Sequence, residues 1–413
     1  MTAAGPGTAD WLARWDAALM DNYGTPSVVL ASGSGATVTD VDGKQYVDLL
    51  GGIAVNLLGH AHPAVVEAVS KQIRTLGHTS NLAAHAPGIE LAERLKELIG
   101  TGPESRVLFT NSGAEANEAA LKLSRRLRPG GGWVACEGAF HGRTMGALAV
   151  TGQPAKRRAF EPLPGPVVFV PYGDVDALAA AVDETTASVV LEPVMGEAGV
   201  VLPPAGFLEG AREACDRAGA LLHLDEVQGG VGRVGSWLTS RAIAPTIVPD
   251  VVTLAKALGG GLPIGAVVAN GRAASAFAKG DHGTTFGGSP IACAAALAVL
   301  RTVEEGDLLS AAQSLGQHLR EGIEALQHPL VRQVRGLGLW IGIVLNEPVS
   351  VAVEAAARDA GFLVNAAAPA VIRLAPPLVV TRAQIDAFLA ALPAVLSSTR
   401  VQSMQVPAVP SPA

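Results

Sequence analysis

The chain has 413 residues, more than one hydrophobic core ordinarily supports, and 49% of them are hydrophobic, enough apolar surface for at least two domains. A net charge of −7 offers no basic footprint for nucleic acid. The most apolar run, Ile291 to Leu300 between Pro290 and Arg301, is about half the length a membrane span requires, so no membrane partner is expected.

The first residues, Met1 to Gly7, lack both basic residues and a continuous apolar stretch, so no signal peptide is expected. Three cysteines, Cys136, Cys215 and Cys293, stand far apart with no C-x-x-C, which fits a reducing, cytoplasmic location and small buried side chains. His60 and His62 lack a second ligand cluster and are expected to be structural, with no metal. Short apolar runs then follow at Arg106 to Thr110, Trp133 to Cys136, Val167 to Val170, Ser188 to Leu191, Ala220 to Leu224, Val251 to Leu254 and Gly265 to Ala269. They do not alternate polar with apolar, as strands buried on both faces do not, and helical stretches such as Glu209 to Ala218 separate them. The pattern predicts an α/β fold with a mostly parallel central sheet, its functional residues at the carboxyl ends of the strands. No internal repeat is visible, and Ser397 to Ala413, with proline and serine and no periodicity, reads as a loose tail.

Four of those strand ends carry chemistry. After Arg106 to Thr110, Ser112 precedes Gly113, Ala114 and Glu115, a capping-box spacing whose free amides and hydroxyl can bind an anion at a helix start. An ordinary capped helix looks the same. Phe140 follows the second strand and could cover a flat ring, although core packing is the commoner fate of its type. Further on, Leu221-Leu-His-Leu-Asp225-Glu-Val227-Gln228 and Val251-Val-Thr-Leu-Ala-Lys256 end in a carboxylate and an amine. Together they predict a pyridoxal 5'-phosphate site, in which Lys256 takes the aldehyde and acts as general base while ionised Asp225 faces the ring nitrogen. Val227 could cover the opposite ring face and Gln228 could bond the ring oxygen. Either charged residue alone could equally be structural.

A competing reading is a nucleotide-binding oxidoreductase, because Gly230-Val-Gly232-Arg-Val-Gly235 matches G-x-G-x-x-G. That fingerprint should leave a strand directly and open a helix, whereas here Asp225 to Gly229 intervene and the run ends at Ser236-Trp237. A third is a binding or regulatory subunit that keeps the fold without catalysis, against which Lys256 and Asp225 both stand intact.

Taken together, these motifs resemble the class III pyridoxal phosphate aminotransferases, from Asn22-Tyr-Gly-Thr-Pro26 to Arg373-Leu-Ala-Pro-Pro377. Asp40-Val-Asp-Gly-Lys44, Gly51-Gly-Ile-Ala-Val-Asn56 with Gly59-His-Ala-His-Pro63, Ser112-Gly-Ala-Glu-Ala-Asn117, Phe140-His-Gly-Arg143, Glu192-Pro-Val-Met-Gly-Glu197 and His282-Gly-Thr-Thr-Phe-Gly-Gly288 occur in the family's order. The resemblance implies a fold-type-I transferase with a smaller α+β domain: residues 1–55 contributing to the small domain, 56–305 binding the cofactor, 306–396 completing the small domain, and 397–413 a disordered tail. It implies that Ser112, Gly113 and Ala114 hold the phosphate, Phe140 and Val227 the ring faces, and Gln228 the ring oxygen. Thr285 would reach the phosphate from the other subunit of a homodimer with a shared active site. Arg143 and Asn56 would bind substrate, Arg143 holding the distant carboxylate of an acylated ornithine; Arg373 would grip the near carboxylate of glutamate, with Glu197 pairing to Arg373 in one half-reaction and leaving it in the other. The implied reaction is transamination of N2-acetyl-L-ornithine with 2-oxoglutarate in arginine biosynthesis. Succinylornithine, succinyl-diaminopimelate, ornithine and 4-aminobutyrate are the alternative amine donors.

Two positions depart from the family pattern. Gly229 stands where threonine is usual, expected to loosen the turn beneath the cofactor. Ser289 stands where asparagine is usual.

Overall fold

The computed structural model describes residues 6–99 and 102–403. Seven strands build the central sheet: β1 (Arg106–Thr110), β2 (Gly132–Cys136), β3 (Val167–Val170), β4 (Thr186–Leu191), β5 (Leu221–Asp225), β6 (Val251–Leu254) and β7 (Gly265–Ala269), in the spatial order β1-β7-β6-β5-β4-β2-β3. From β3 through β6 every neighbouring pair is parallel, whereas β7 runs antiparallel between β6 and β1. Every residue of β4, β5, β6 and β7 is buried, the condition that produced unbroken apolar runs in the sequence.

Helices cover both faces. Ser112 caps Gly113–Leu127, whose Ala116, Ala119, Ala120 and Leu123 pack on Leu221, Val251 and Val267 of the sheet. Gly219, at φ +63°, ends Phe207–Ala218 in the left-handed conformation that glycine adopts without Cβ strain. The long helix Pro290–Glu305 starts with Ser289 accepting the Ala292 amide at 3.4 Å and with proline at its first position. Serine at 289 therefore does a cap's work. The helix buries Val299, Leu300 and Val303 against the same core as Val252, Leu254 and Val268, each such side chain contributing about 1.5–3 kcal/mol.

Two smaller sheets flank this unit. One joins Leu30–Ser34, Thr37–Asp40 and Gln45–Asp48 to the distant Phe362–Leu363, which pairs in parallel with Val47 and Asp48. The other is antiparallel and consists of Val331–Leu337, Trp340–Leu345, Val371–Leu374 and Asn365–Ala368. The last helix runs from Arg382 to Ser403, so the segment expected to be loose from Ser397 is helical as far as Ser403, and residues 404–413 lie outside the described residues.

His60 lies 2.8 Å from Asp48, and His62 accepts the Ala64 amide at the start of Pro63–Thr75. All three cysteines are buried and unpaired, and burial pushes each thiol up to about 12. Among the described residues no helix is long and apolar enough to cross a membrane. The Gly230 to Gly235 run opens no helix; its Arg233 is buried and donates to the Leu339 and Pro376 carbonyls. Neither feature of a dinucleotide turn is present there. Gly229 is a point of close packing: a Cβ would lie 2.1 Å from Thr239 Oγ1 and 3.0 Å from the Trp340 ring. Glycine tightens this turn against its neighbours and does not loosen it.

Candidate active site

Five parallel-sheet connections deliver their polar residues to one edge. Asn111 and Ser112 follow β1, Phe140 and His141 follow β2, Glu192 follows β4, Asp225 ends β5 and Lys256 follows β6. Because β7 is antiparallel, its preceding loop, Gly261 to Ile264, enters at this same edge. Between them lies a cavity of about 400 Å³. Of the residues singled out in the sequence, Ser112, Gly113, Ala114, Phe140, Arg143, Asp225, Val227, Gln228 and Lys256 line it.

Asp225 is 5% exposed, and both carboxylate oxygens are engaged. Asn117 donates to Oδ2 at 2.7 Å, His141 Nδ1 lies 2.8 Å from that same oxygen, and the Val227 amide donates to Oδ1 at 3.0 Å. Asn117 is itself oriented by Thr253 at 2.8 Å, and Thr253 by His223 at 3.1 Å. Burial alone would raise the Asp225 pKa, but the hydrogen bond and charge of His141 outweigh it, and the carboxyl is held below its ordinary value. The same pairing overcomes burial at His141 and raises its pKa. His223, buried without an adjacent hydrogen-bonded acid, falls to about 3 and is neutral.

Lys256 is half-buried, with its pKa lowered by loss of hydration; the charges of Glu197 and Asp225 oppose that shift and that of Arg373 adds to it. Its backbone has φ +40°, a conformation costing a non-glycine residue roughly 1–3 kcal/mol and met at functional sites. At the phosphate-type cradle, Ser112 Oγ accepts the Glu115 amide at 3.2 Å. Glu115 reaches back one residue further than a capping box requires, taking the Asn111 amide at 2.9 Å and its side-chain amide at 2.8 Å. A Cβ on Gly113 would lie 2.6 Å from Val227, so this helix start and Val227 approach as closely as glycine permits.

A second cluster sits beyond Lys256. Arg373, 2% exposed, donates to Glu197 at 2.6 Å, to Gln228 Oε1 at 2.8 Å, to the Gly196 carbonyl at 3.1 Å and to Asn365 at 2.7 Å. Arg373 more than offsets burial at Glu197 and lowers its pKa. Gln228 also donates to Glu197 at 3.3 Å. The amide expected at a ring oxygen is thus bound to the ion pair, linking it to the cavity wall.

Asn56 stands at the rim, 3.5 Å from where a Cβ on Gly261 would be. Arg143 is exposed at the mouth, its guanidinium 5.7 Å from the Phe140 ring centre. Thr285 is exposed and absent from the cavity lining of its own chain.

Residues without an individual role in the sequence complete the arrangement. His141 and Asn117 hold Asp225, and Glu192 accepts the Phe140 amide at 2.9 Å and the Gly196 amide at 3.0 Å. Burial pushes Glu192 up to about 7. Their sequence signal was membership of the family motifs Ser112 to Asn117, Phe140 to Arg143 and Glu192 to Glu197, without a role attached to any of the three.

A half-buried amine, a deeply held carboxylate and a helix start around one cavity at the carboxyl edge of an α/β sheet define an enzyme of the aminotransferase type. The chain matches the class-III aminotransferase family over residues 19–396 and belongs to it. It is 62% identical over 396 residues to the acetylornithine aminotransferase of Mycobacterium tuberculosis, covering 96% of this chain and 98% of that one. Among solved structures it is similar to the ornithine aminotransferase of Toxoplasma gondii ME49, at a TM-score of 0.90 and 29% identity over 95% of this chain and 96% of that one. It is also similar to the acetylornithine aminotransferase of Elizabethkingia anophelis, at a TM-score of 0.83 and 33% identity over 95% and 100% of the two chains.

Proposed function

We propose that the protein is a pyridoxal phosphate-dependent aminotransferase that moves an amino group from N2-acetyl-L-ornithine to 2-oxoglutarate, giving N-acetyl-L-glutamate 5-semialdehyde and L-glutamate, in arginine biosynthesis. The observation that carries this reading is that Lys256 lines the cavity with Asp225 and lies within electrostatic reach of two differently built anchors, Asp225 and the Arg373–Glu197 pair. The name borne by relatives at 62% identity across nearly the whole chain supports the choice of substrate.

The donor set fits the cofactor. Ser112 with the first amides of its helix suits a phosphate, Phe140 and Val227 in the cavity lining suit the faces of a flat ring, Asp225 suits a ring nitrogen and the Lys256 amine suits an aldehyde. When bound, pyridoxal phosphate supplies a carbonyl that exchanges amines and a ring that withdraws electrons from the carbon–hydrogen bond to be broken. Asp225, kept ionised by His141 and Asn117, would favour a protonated ring nitrogen. Lys256, its pKa lowered, has a larger neutral fraction than an exposed lysine and moves the proton at its Nζ. Arg143 takes the distal carboxylate of the acylated substrate while Glu197 neutralises Arg373. For glutamate, whose carboxylate adjoins the reacting carbon, Glu197 gives up Arg373 to that carboxylate.

A homodimer with a shared site is part of this proposal. Exposed Thr285 and its neighbour Phe286, 63% exposed, together with Leu82 at 97% and Ile53 at 43%, support a partner's approach beside the cavity. A cytoplasmic location accords with three buried, unpaired cysteines. Steady-state rates with acetylornithine, ornithine and 4-aminobutyrate test the assignment. Acetylornithine should have the highest specificity constant, and a higher one for either other amine would overturn it.

A further inference from the structure

Glu197 stands in a tight loop between Met195 and Val201, whose backbones exchange hydrogen bonds of 3.0 and 2.9 Å. Within it the Gly196 carbonyl accepts the amides of Gly199 and Val200 at 3.0 and 3.3 Å. Val200 has φ +59°, a conformation that a β-branched residue keeps only where its surroundings impose it. Those surroundings include the antiparallel sheet. Arg335, Gly342 and Arg373 lie directly opposite one another on Val331–Leu337, Trp340–Leu345 and Val371–Leu374, so the two arginines share one face with a glycine between them. The loop is seated on that row. Arg373 donates to the Gly196 carbonyl at 3.1 Å and to the Glu197 carboxylate at 2.6 Å, and Arg335 donates to the Gly199 carbonyl from Nε at 3.0 Å and from Nη2 at 2.8 Å. Nη2 also reaches the Ala198 carbonyl at 3.5 Å. A Cβ on Gly342 would lie 2.6 Å from the Gly199 oxygen, so glycine there leaves room for the carbonyl.

Arg335 is half-buried, and loss of hydration together with the charge of Arg332 lowers its pKa. Its fork meets backbone carbonyls of the segment that carries Glu197. We propose that Arg335 is a positioning residue for the Glu197–Arg373 pair: it pins the loop backbone to the sheet, so that Glu197 releases and regains Arg373 by side-chain rotation alone. The inference rests on the two-anchor transaminase reading above. Held in this way, the Glu197 carboxylate returns to Arg373 whenever no substrate carboxylate occupies it, which is the state the acylated donor requires. A loop freed at Gly199 spreads Glu197 over more positions, weakens its competition for Arg373 and leaves that guanidinium more available to glutamate. Loss of Arg335 therefore separates the two substrates.

Single-turnover half-reactions of N2-acetyl-L-ornithine and of L-glutamate test this in the wild-type holoenzyme, R335M, R335K and G342A, with E197Q as reference. R335M should raise the half-saturating concentration of acetylornithine about three- to tenfold, as expected for one charge-assisted contact, and leave that of glutamate unchanged or lower. R335K, which keeps the cation but not the planar fork, should recover part of the difference. G342A displaces the same carbonyl with Arg335 intact and should shift the two substrates as R335M does, so the test survives an R335M that does not fold. Glutarate has the two carboxylates of glutamate and no amine to react. By calorimetry it should bind R335M about three- to tenfold more tightly than the wild type, a gain that a merely loosened fold does not produce. Equal effects on both substrates in R335M and G342A, or unchanged glutarate binding, beside a donor-selective loss in E197Q would overturn the role of Arg335 and leave the transaminase reading standing. Equal losses on both substrates in E197Q would overturn the two-anchor reading, and this inference with it.

Discussion

The two anchoring regions of the site are built on opposite principles. Asp225 lies in the central sheet, its oxygens bound by Asn117, His141 and Val227, all from the large-sheet unit, and it is 5% exposed. Glu197 projects from a loop, is half-buried, and meets Arg373 on a strand of a different sheet. A group that must keep one charge state throughout a reaction gains from several fixed donors, whereas a group that must be released gains from a single strong partner. Each of these carboxylates has a lowered pKa, but Asp225 has three short hydrogen bonds, whereas Glu197 without Arg373 keeps one donor, Gln228 at 3.3 Å.

The contrast can be broken most severely at the residue between the two regions. Lys256→Ala should reduce turnover by about four orders of magnitude or more while leaving the melting temperature within a few degrees, since it removes a half-buried amine and leaves the cost of the positive φ unchanged; more than trace multiple turnover in steady-state assays would remove Lys256 from its role. Next in size, His141→Ala should lower kcat by about 10 to 100-fold, as loss of an orienting partner does elsewhere, and should shift the pH profile by freeing Asp225 to titrate higher. A structural defect alone would lower kcat without moving the profile. Arg143→Ala should raise KM for the acylated substrate about tenfold or more and affect the glutamate half-reaction less. Single-turnover rates measured for each half-reaction separate these, and equal losses would mean that the two anchors are not divided between substrates.

The smallest effect sharpens the rigid side. Glu192, ordinarily near 4.5, is raised to about 7 by burial, so between those values the folded protein binds a proton that the unfolded chain releases. Its contribution to stability is complete below pH 4.5 and is lost as pH rises through 7. Melting temperatures across this range should therefore fall less steeply for Glu192→Gln than for the parent protein. An unchanged slope would show that Glu192 does not titrate there.

Much of the fold was legible because of how its strands are buried. β1, β3, β6 and β7 have the boundaries that their apolar runs mark, β2 and β4 begin one and two residues earlier, and β5 is shifted by one residue at both ends. Ser112, Asp225 and Lys256 could be picked out because strand ends and helix starts are punctuated by polar residues. The pairing of Val47 with Phe362 left no such mark, since a short strand carries no sign of a partner more than three hundred residues away. The helical continuation to Ser403 was equally hidden by a stretch without strong periodicity.

Local order thus came from the chain alone: which segments are strands, which residue caps the helix after β1, and which amine and carboxylate end adjacent runs all follow from side-chain size, polarity and spacing over a few residues. Only the folded molecule decided that Gln228 binds the Arg373–Glu197 pair, that His141 and Asn117 secure Asp225, and that Arg335 donates to the Gly199 carbonyl. These contacts link residues remote in sequence, and their charge states depend on burial and on neighbours in three dimensions, neither of which periodicity encodes.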